Sequence, residues 1–170
     1  MVGPPGSGKT TTAALIARRT GAPHVELDAL YWEPNWTVAE LAVFRARITA
    51  AVAGGQWVAD GNYFSSSHDI TWPRADTIVW LDLPRRTTVR RVVWRTGSRA
   101  VLGTQLWSGN RESLRMMFRR DEIVRFAWRE YPKYQQRYAT LMHDAEWAHL
   151  RWVRLRSPHA VRAWVSALGT

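Results

Sequence analysis

At 170 residues, 46% of them apolar and 22% charged, the chain is long enough to bury a core and has the composition of a globular domain, not a disordered one. It has no Cys, which excludes disulfide and thiolate chemistry and suits a reducing cytoplasm, and no apolar run near the ~18 residues of a membrane span. The formal net charge of +10 is uneven: up to Trp80 there are six basic and seven acidic residues, and from Leu81 onward 18 basic and seven acidic, with 22 Arg overall against only Lys9 and Lys133. A half-chain of that balance expects a polyanion, either a polyphosphate-bearing ligand or nucleic acid; the plainer reading is a solvated Arg-rich surface.

Taken in chain order, strand and helix signals alternate. After a glycine-rich loop, Lys9 to Thr20 reads as a helix closed by Gly21, and His24 to Asp28 as a short strand. Thr37 and Glu40 spell a capping box opening a helix with Leu41, Phe44, Ile48 and Val52 on one face, ended by Gly54-Gly55. Gln56 to Asp60 is a strand stopped by Asp60-Gly61-Asn62, and Thr77 to Leu83 is a third apolar strand whose Pro84 starts the next helix. Gly97 to Asn110 is polar and flanked by helical patterns, as a lid would be. Leu114, Phe118, Val124 and Trp128 face one side of the helix after it, and a further helix follows near Pro132. Leu150 to Arg156 is the last strand, with Ser157-Pro158 capping a closing helix. No repeat or linker divides residues 1–170, so one domain is expected, an α/β three-layer, doubly wound parallel sheet with a lid at about 97–110. Only Met1 and Val2 precede Gly3, where a buried strand of about five residues is expected, so the first strand reads as cut short with its natural start upstream.

Gly3-Pro4-Pro5-Gly6-Ser7-Gly8-Lys9-Thr10 spells the Walker A phosphate loop, G-x-x-x-x-G-K-[ST]. The glycines let backbone N–H groups converge on a phosphate, and the helix behind adds its positive end. Lys9 reaches the β- and γ-oxygens, and the Thr10 hydroxyl ligates Mg²⁺. The expected ligands are therefore ATP and Mg²⁺, held by Gly3, Pro4, Pro5, Gly6, Ser7, Gly8, Lys9, Thr10 and Thr11. A GTPase would need Asn-Lys-x-Asp, whereas Lys133 sits in Pro-Lys-Tyr-Gln. Motor and AAA-type hydrolases place a Glu directly after the Walker B Asp, and neither Asp60-Gly61 nor Asp82-Leu83 has one. That balance favours transfer to a bound acceptor over hydrolysis.

The chain resembles the nucleoside- and nucleotide-kinase branch of P-loop proteins, and within it the adenylate-kinase-related topology modulation group. The matching stretches are Gly3 to Thr11, Leu27-Asp28-Ala29-Leu30-Tyr31-Trp32, Trp36, Trp57 to Tyr63, Ala75-Asp76, Leu81 to Arg85 and Asn110-Arg111-Glu112. The resemblance implies a five-stranded parallel sheet in order 2-3-1-4-5 with a mobile arginine-bearing lid. It also implies a Walker B role for Asp60 and an adenine seat near Ser157-Pro158-His159.

Beyond the loop, Asp60 closes a strand, where it would hold Mg²⁺ or serve only as a turn cap; Asp82 is a weaker rival for the metal. Asp28 would orient an acceptor hydroxyl or act as its general base, the alternative again being a cap. Tyr31, Trp32, Trp36, Tyr63 and Phe64 would stack on an acceptor ring or fill the core. Of Arg90, Arg91, Arg95, Arg111, Arg115 and Arg119, we expect Arg91, Arg95 and Arg111 to stabilise the transferring phosphoryl group. His68, His143, His149 and His159 lack metal spacing. The expected function is a cytoplasmic ATP-dependent kinase with Lys9, Asp28, Arg91, Arg95 and Arg111 catalytic, Thr10 and Asp60 on the metal, and a small acceptor such as a nucleotide or nucleoside. The alternative is an ATP-binding protein acting on nucleic acid through its basic half.

Overall fold

The computed structural model describes residues 1–102, 107–110 and 120–168. Helix α1 runs over Lys9–Thr20 and ends at Gly21 in the left-handed conformation (φ 73°), as the sequence predicts. β1 covers His24–Glu26 and gives way to the short helix α2, Leu27–Tyr31. Asp28 therefore sits in the first turn of a helix, not at a strand end. β2 (Trp32–Glu33) and β3 (Thr37–Val38) pair antiparallel as a small hairpin, with Glu33 opposite Thr37.

That pairing overturns the predicted capping box. Thr37 is committed to the hairpin, and Glu40 takes the N-cap of α3 (Leu41–Ala51) without a side-chain bond. β4 is Val58–Asp60, and α4, Phe64–Thr71, is an element the sequence does not announce. β5 (Thr77–Leu81) leads to α5 (Arg85–Leu102), so Pro84 lies just ahead of the helix and α5 runs through Gly97.

α6 is one continuous helix, Arg120–Leu141, where two were expected on either side of Pro132. Proline removes the N–H that would bond the carbonyl four residues earlier, that of Trp128. Here Arg85 donates to the Trp128 carbonyl, and its guanidinium lies 3.7 Å from the centre of the Trp128 ring. The vacated acceptor is thus filled from α5, and the helix continues. β6 (Arg151–Leu155) and α7 (Pro158–Ser166) follow, with the Ser157 hydroxyl accepting from the Ala160 N–H at 3.0 Å.

β1 pairs parallel with β4, and β5 with β6. Met1 and Val2 lie between these pairs: the Val2 N–H donates to the Val79 carbonyl and the Val2 carbonyl accepts from the Leu81 N–H, both at 2.9 Å, and the Met1 ammonium donates to the Ala59 carbonyl at 2.7 Å. The order across the molecule is β1-β4-Met1/Val2-β5-β6, the expected 2-3-1-4-5 arrangement. Alternation along β5 divides the core between two layers. Ile78 and Trp80 pack with Trp72, Tyr138 and Trp147 on one face, while Val79 and Leu81 meet Val161 and Trp164 of α7 on the other. A third cluster, Val25, Leu27, Phe44, Ile48 and Ile70, closes the β1 side. Among the described residues no helix is long and apolar enough to cross a membrane.

Candidate functional site

The phosphate loop is held in shape by backbone that only glycine adopts cheaply. Gly6 has φ 77°, and a Cβ there would overlap the Thr88 carbonyl oxygen and lie 2.8 Å from Val92 Cγ2 of α5. Gly8, at φ 94°, opens α1 with no side-chain cap, so the first-turn N–H groups remain for an anion. The Ser7 hydroxyl is buried and has no hydrogen-bond partner among the described residues. An unsatisfied donor, a glycine cradle and an uncapped helix end together fit a bound phosphate.

Lys9 folds back on this loop, donating to the carbonyls of Gly3 (2.9 Å) and Pro4 (3.2 Å). Burial pulls its pKa down to about 8, against the opposing pull of Asp60 and Asp28. Thr10 Oγ1 donates to Asp60 Oδ1 at 3.0 Å, and the other oxygen of that buried carboxylate meets His24 Nε2 at 2.8 Å. A hydroxyl and a carboxylate beside the phosphate loop are the hard oxygen donors that Mg²⁺ takes, so the residues fit the ion. Register explains the company they keep: Glu26 is paired with Asp60 and His24 is two residues earlier on the same face of β1. Ligand atoms of His24, Glu26 and Asp60 fall within 4.8 Å of one another.

Asp28 accepts a hydrogen bond from the Tyr63 hydroxyl at 2.6 Å. Burial and that carboxylate push the Tyr63 phenol far above its ordinary range, so Tyr63 remains a neutral donor. Arg91 Nη1 donates to the Ser7 carbonyl at 3.1 Å, directly under the loop. Arg95, one turn on, lines the same cleft of about 1180 Å³, as do Asp28, Asp60 and, from α7, Pro158 and Val161.

Other expectations fare differently. Asp82, the weaker rival for the metal, has other partners: its buried carboxylate pairs with Arg154 at 2.7 Å and accepts from Gln135 at 2.9 Å. Of the five aromatics, Trp32 and Tyr63 line the cleft, while Tyr31 packs on Phe44 and Phe64 stacks on His68 in the core. Arg111, Arg115 and Arg119, with Leu114 and Phe118, lie outside the described residues. Sequence reasoning passed over His24, Glu26 and Trp107, whose indole N–H donates to Glu26. The i, i+2 spacing of His24 and Glu26 on a strand was the available signal; Trp107 gave none.

Three comparisons bear on this geometry. Residues 1–56 match AAA, the ATPase family associated with various cellular activities. That span ends before Asp60-Gly61, so it covers the phosphate loop but not the position where a hydrolase would carry its glutamate. The chain is 31% identical over 122 residues to a shikimate kinase of Gloeobacter violaceus (strain ATCC 29082 / PCC 7421), a match spanning 60% of this chain and 65% of that protein. In structure it is similar to the shikimate kinase from Acinetobacter baumannii in complex with shikimate, with TM-score 0.50, 16% identity, and coverage of 96% of this chain and 86% of that one. Phosphate loop, sheet order and the structural likeness converge on an α/β fold of the P-loop kinase type.

Proposed function

We propose that the chain is a kinase that moves the γ-phosphoryl group of ATP to the hydroxyl of a small acceptor. The observation that carries this reading is the arrangement around Asp60. Gly61 follows it with no acid to activate water, while Asp28 faces the same cleft as the phosphate loop. In this reading the loop N–H groups and the Ser7 hydroxyl bind the phosphates. Lys9 exchanges the Gly3 and Pro4 carbonyls for phosphate oxygens, which relieves its burial in a water-poor site. Arg91 and Arg95, joined by Arg111, orient and stabilise the equatorial oxygens as they gain charge. Thr10 and Asp60 would hold Mg²⁺, which when bound neutralises charge on the phosphate oxygens. Asp28, fixed by Tyr63, accepts the proton of the acceptor hydroxyl. The likeness to shikimate kinases supports a small-molecule acceptor, and the lack of Cys supports the cytoplasm as its place.

The test is ADP release from Mg·ATP with and without a pool of small hydroxyl compounds, with Lys9→Ala as control. Release that depends on the pool and vanishes in the variant supports the kinase. Release stimulated by DNA or RNA alone would support the second reading, which one surface favours: Arg86, Arg90 and Trp94 recur on one exposed stripe of α5, and Trp94 is 77% exposed.

A further inference from the structure

Asp60 is buried, and its two carboxylate oxygens are engaged by different elements. Oδ1 accepts from the Thr10 hydroxyl at 3.0 Å, and Oδ2 meets His24 Nε2 at 2.8 Å. An ionised carboxylate only accepts, so at this contact Nε2 carries the ring proton and donates it. The cations nearby are committed to backbone: Lys9 bonds the Gly3 and Pro4 carbonyls, and the Met1 ammonium bonds the Ala59 carbonyl. Among the described residues His24 is therefore the one side chain that grips Oδ2.

The two partners of Asp60 stand differently toward the cleft. Thr10 and Asp60 both line it, and an ion held by the two must displace the bond between them. His24 does not belong to that lining. It comes from β1, two residues before Glu26, which is the residue opposite Asp60 in the parallel pairing, and it reaches the carboxylate from outside the cleft. Its bond persists while an ion is held.

Rotation of a carboxylate about its Cβ–Cγ bond meets only a broad, shallow profile, so burial alone does not choose where Oδ1 points. Fixing Oδ2 does. Without His24, Oδ2 would be a buried, charged oxygen with no described donor, and the carboxylate would turn to find one.

We propose, on the reading that Asp60 holds the divalent ion, that His24 is a positioning residue for the metal site. Through Nε2–H it sets the angle of the Asp60 carboxylate, so that one ion meets Oδ1 and the Thr10 hydroxyl together. His24 itself stays off the metal, although its ring nitrogen, Glu26 and Asp60 lie within 4.8 Å of one another. Ligation through Nε2 would require that nitrogen to give up both its proton and its bond to Asp60. Outer hydrogen bonds to a ligating group are worth about 10–100-fold in metal affinity.

The experiment titrates Mn²⁺, standing in for Mg²⁺, by electron paramagnetic resonance on the full chain with a non-hydrolysable ATP analogue bound. His24→Ala should weaken Mn²⁺ binding by about tenfold or more and leave affinity for the analogue in EDTA unchanged. His24→Gln should recover most of the loss, because its amide N–H stands where Nε2–H does. A general folding defect would instead lower both affinities and show in urea melts. A measurement on the unaltered chain needs no variant to fold: ¹⁵N NMR of the histidine rings should show His24 Nε2 still protonated when Mg²⁺ and the analogue are bound. Unchanged Mn²⁺ affinity in His24→Ala, or a folded His24→Gln no better than His24→Ala, overturns the proposal. So does loss of the Nε2 proton on adding the ion, which would make His24 a ligand. Undiminished Mn²⁺ affinity in Asp60→Asn is a separate result: it overturns the placement of the ion at Asp60, on which the proposal rests.

Discussion

Replacing Lys9 by Met should abolish nucleotide binding and yet stabilise the ligand-free chain. Burial lowers the Lys9 pKa from 10.5 to about 8. Between those values the unfolded chain holds a proton that the folded chain has shed, so unfolding free energy rises with pH across this window. At ~1.36 kcal/mol per pH unit across this window, that rise is about 3 kcal/mol. Lys9→Met removes the titrating group and with it the slope. At pH 7 the variant escapes the cost of a buried ammonium but forfeits the bonds to the Gly3 and Pro4 carbonyls, worth ~1 kcal/mol each. It should therefore be more stable by about 1 kcal/mol, which for a chain of this length raises Tm by roughly 2–4 °C. The assay is urea unfolding of both proteins from pH 7 to 10.5. Subtracting the two curves cancels the tyrosines, among them Tyr63 and Tyr138, whose raised pKa values tilt stability the other way above pH 10. A flat difference curve would refute the reasoning, because it would mean that Lys9 is solvated as freely in the folded chain as in the unfolded one.

Gly6→Ala should destabilise the fold by about 2 kcal/mol and weaken nucleotide binding, since φ is 77° and the added Cβ meets the Thr88 carbonyl; urea melts and titration with a fluorescent nucleotide check both. Asp60→Asn should reduce the divalent-ion dependence of nucleotide affinity by tenfold or more, measured by titrating Mg²⁺ or Mn²⁺ at fixed nucleotide. Arg85→Ala should cost about 1–2 kcal/mol by leaving the Trp128 carbonyl without its donor, and the cost should shrink when Pro132→Ala restores the helix N–H. A double-mutant cycle with no coupling would disprove that account of the proline.

The phosphate loop, the helix stop at Gly21 and the Ser157-Pro158 start were legible because each rests on a local backbone requirement that a residue type meets directly. Helix α4 was not. Its Phe-Ser-Ser-Ser-His-Asp-Ile-Thr sequence has poor helix propensity, and tertiary burial of Ser67, Ile70 and Thr71 holds it, with the Ser67 and Thr71 hydroxyls bonding back to the carbonyls four residues earlier. The unbroken α6 depends on an arginine 43 residues away, information no window around Pro132 contains. At the site, Thr10 and Asp60 could be named from motif and strand end. Joining His24 and Glu26 to them required the β1–β4 register, and joining Trp107 required a contact across 81 residues. The same holds for Asp82, whose pairing with Arg154 on the neighbouring strand no local stretch of sequence reveals.

The contact of Gly6 with Thr88 and Val92 has a mechanical consequence. The floor of the phosphate site is the first two turns of α5, tied down further by the bond from Arg91 to the Ser7 carbonyl. Loop and floor move as one piece, and any closing movement of α5 has its pivot beyond Val92. Arg91 then belongs to the stator, fixed before a ligand arrives, while Arg95 rides nearest the pivot, where a small rotation sets its reach. Spin labels at Thr11 and Arg86 should accordingly keep one separation with and without nucleotide.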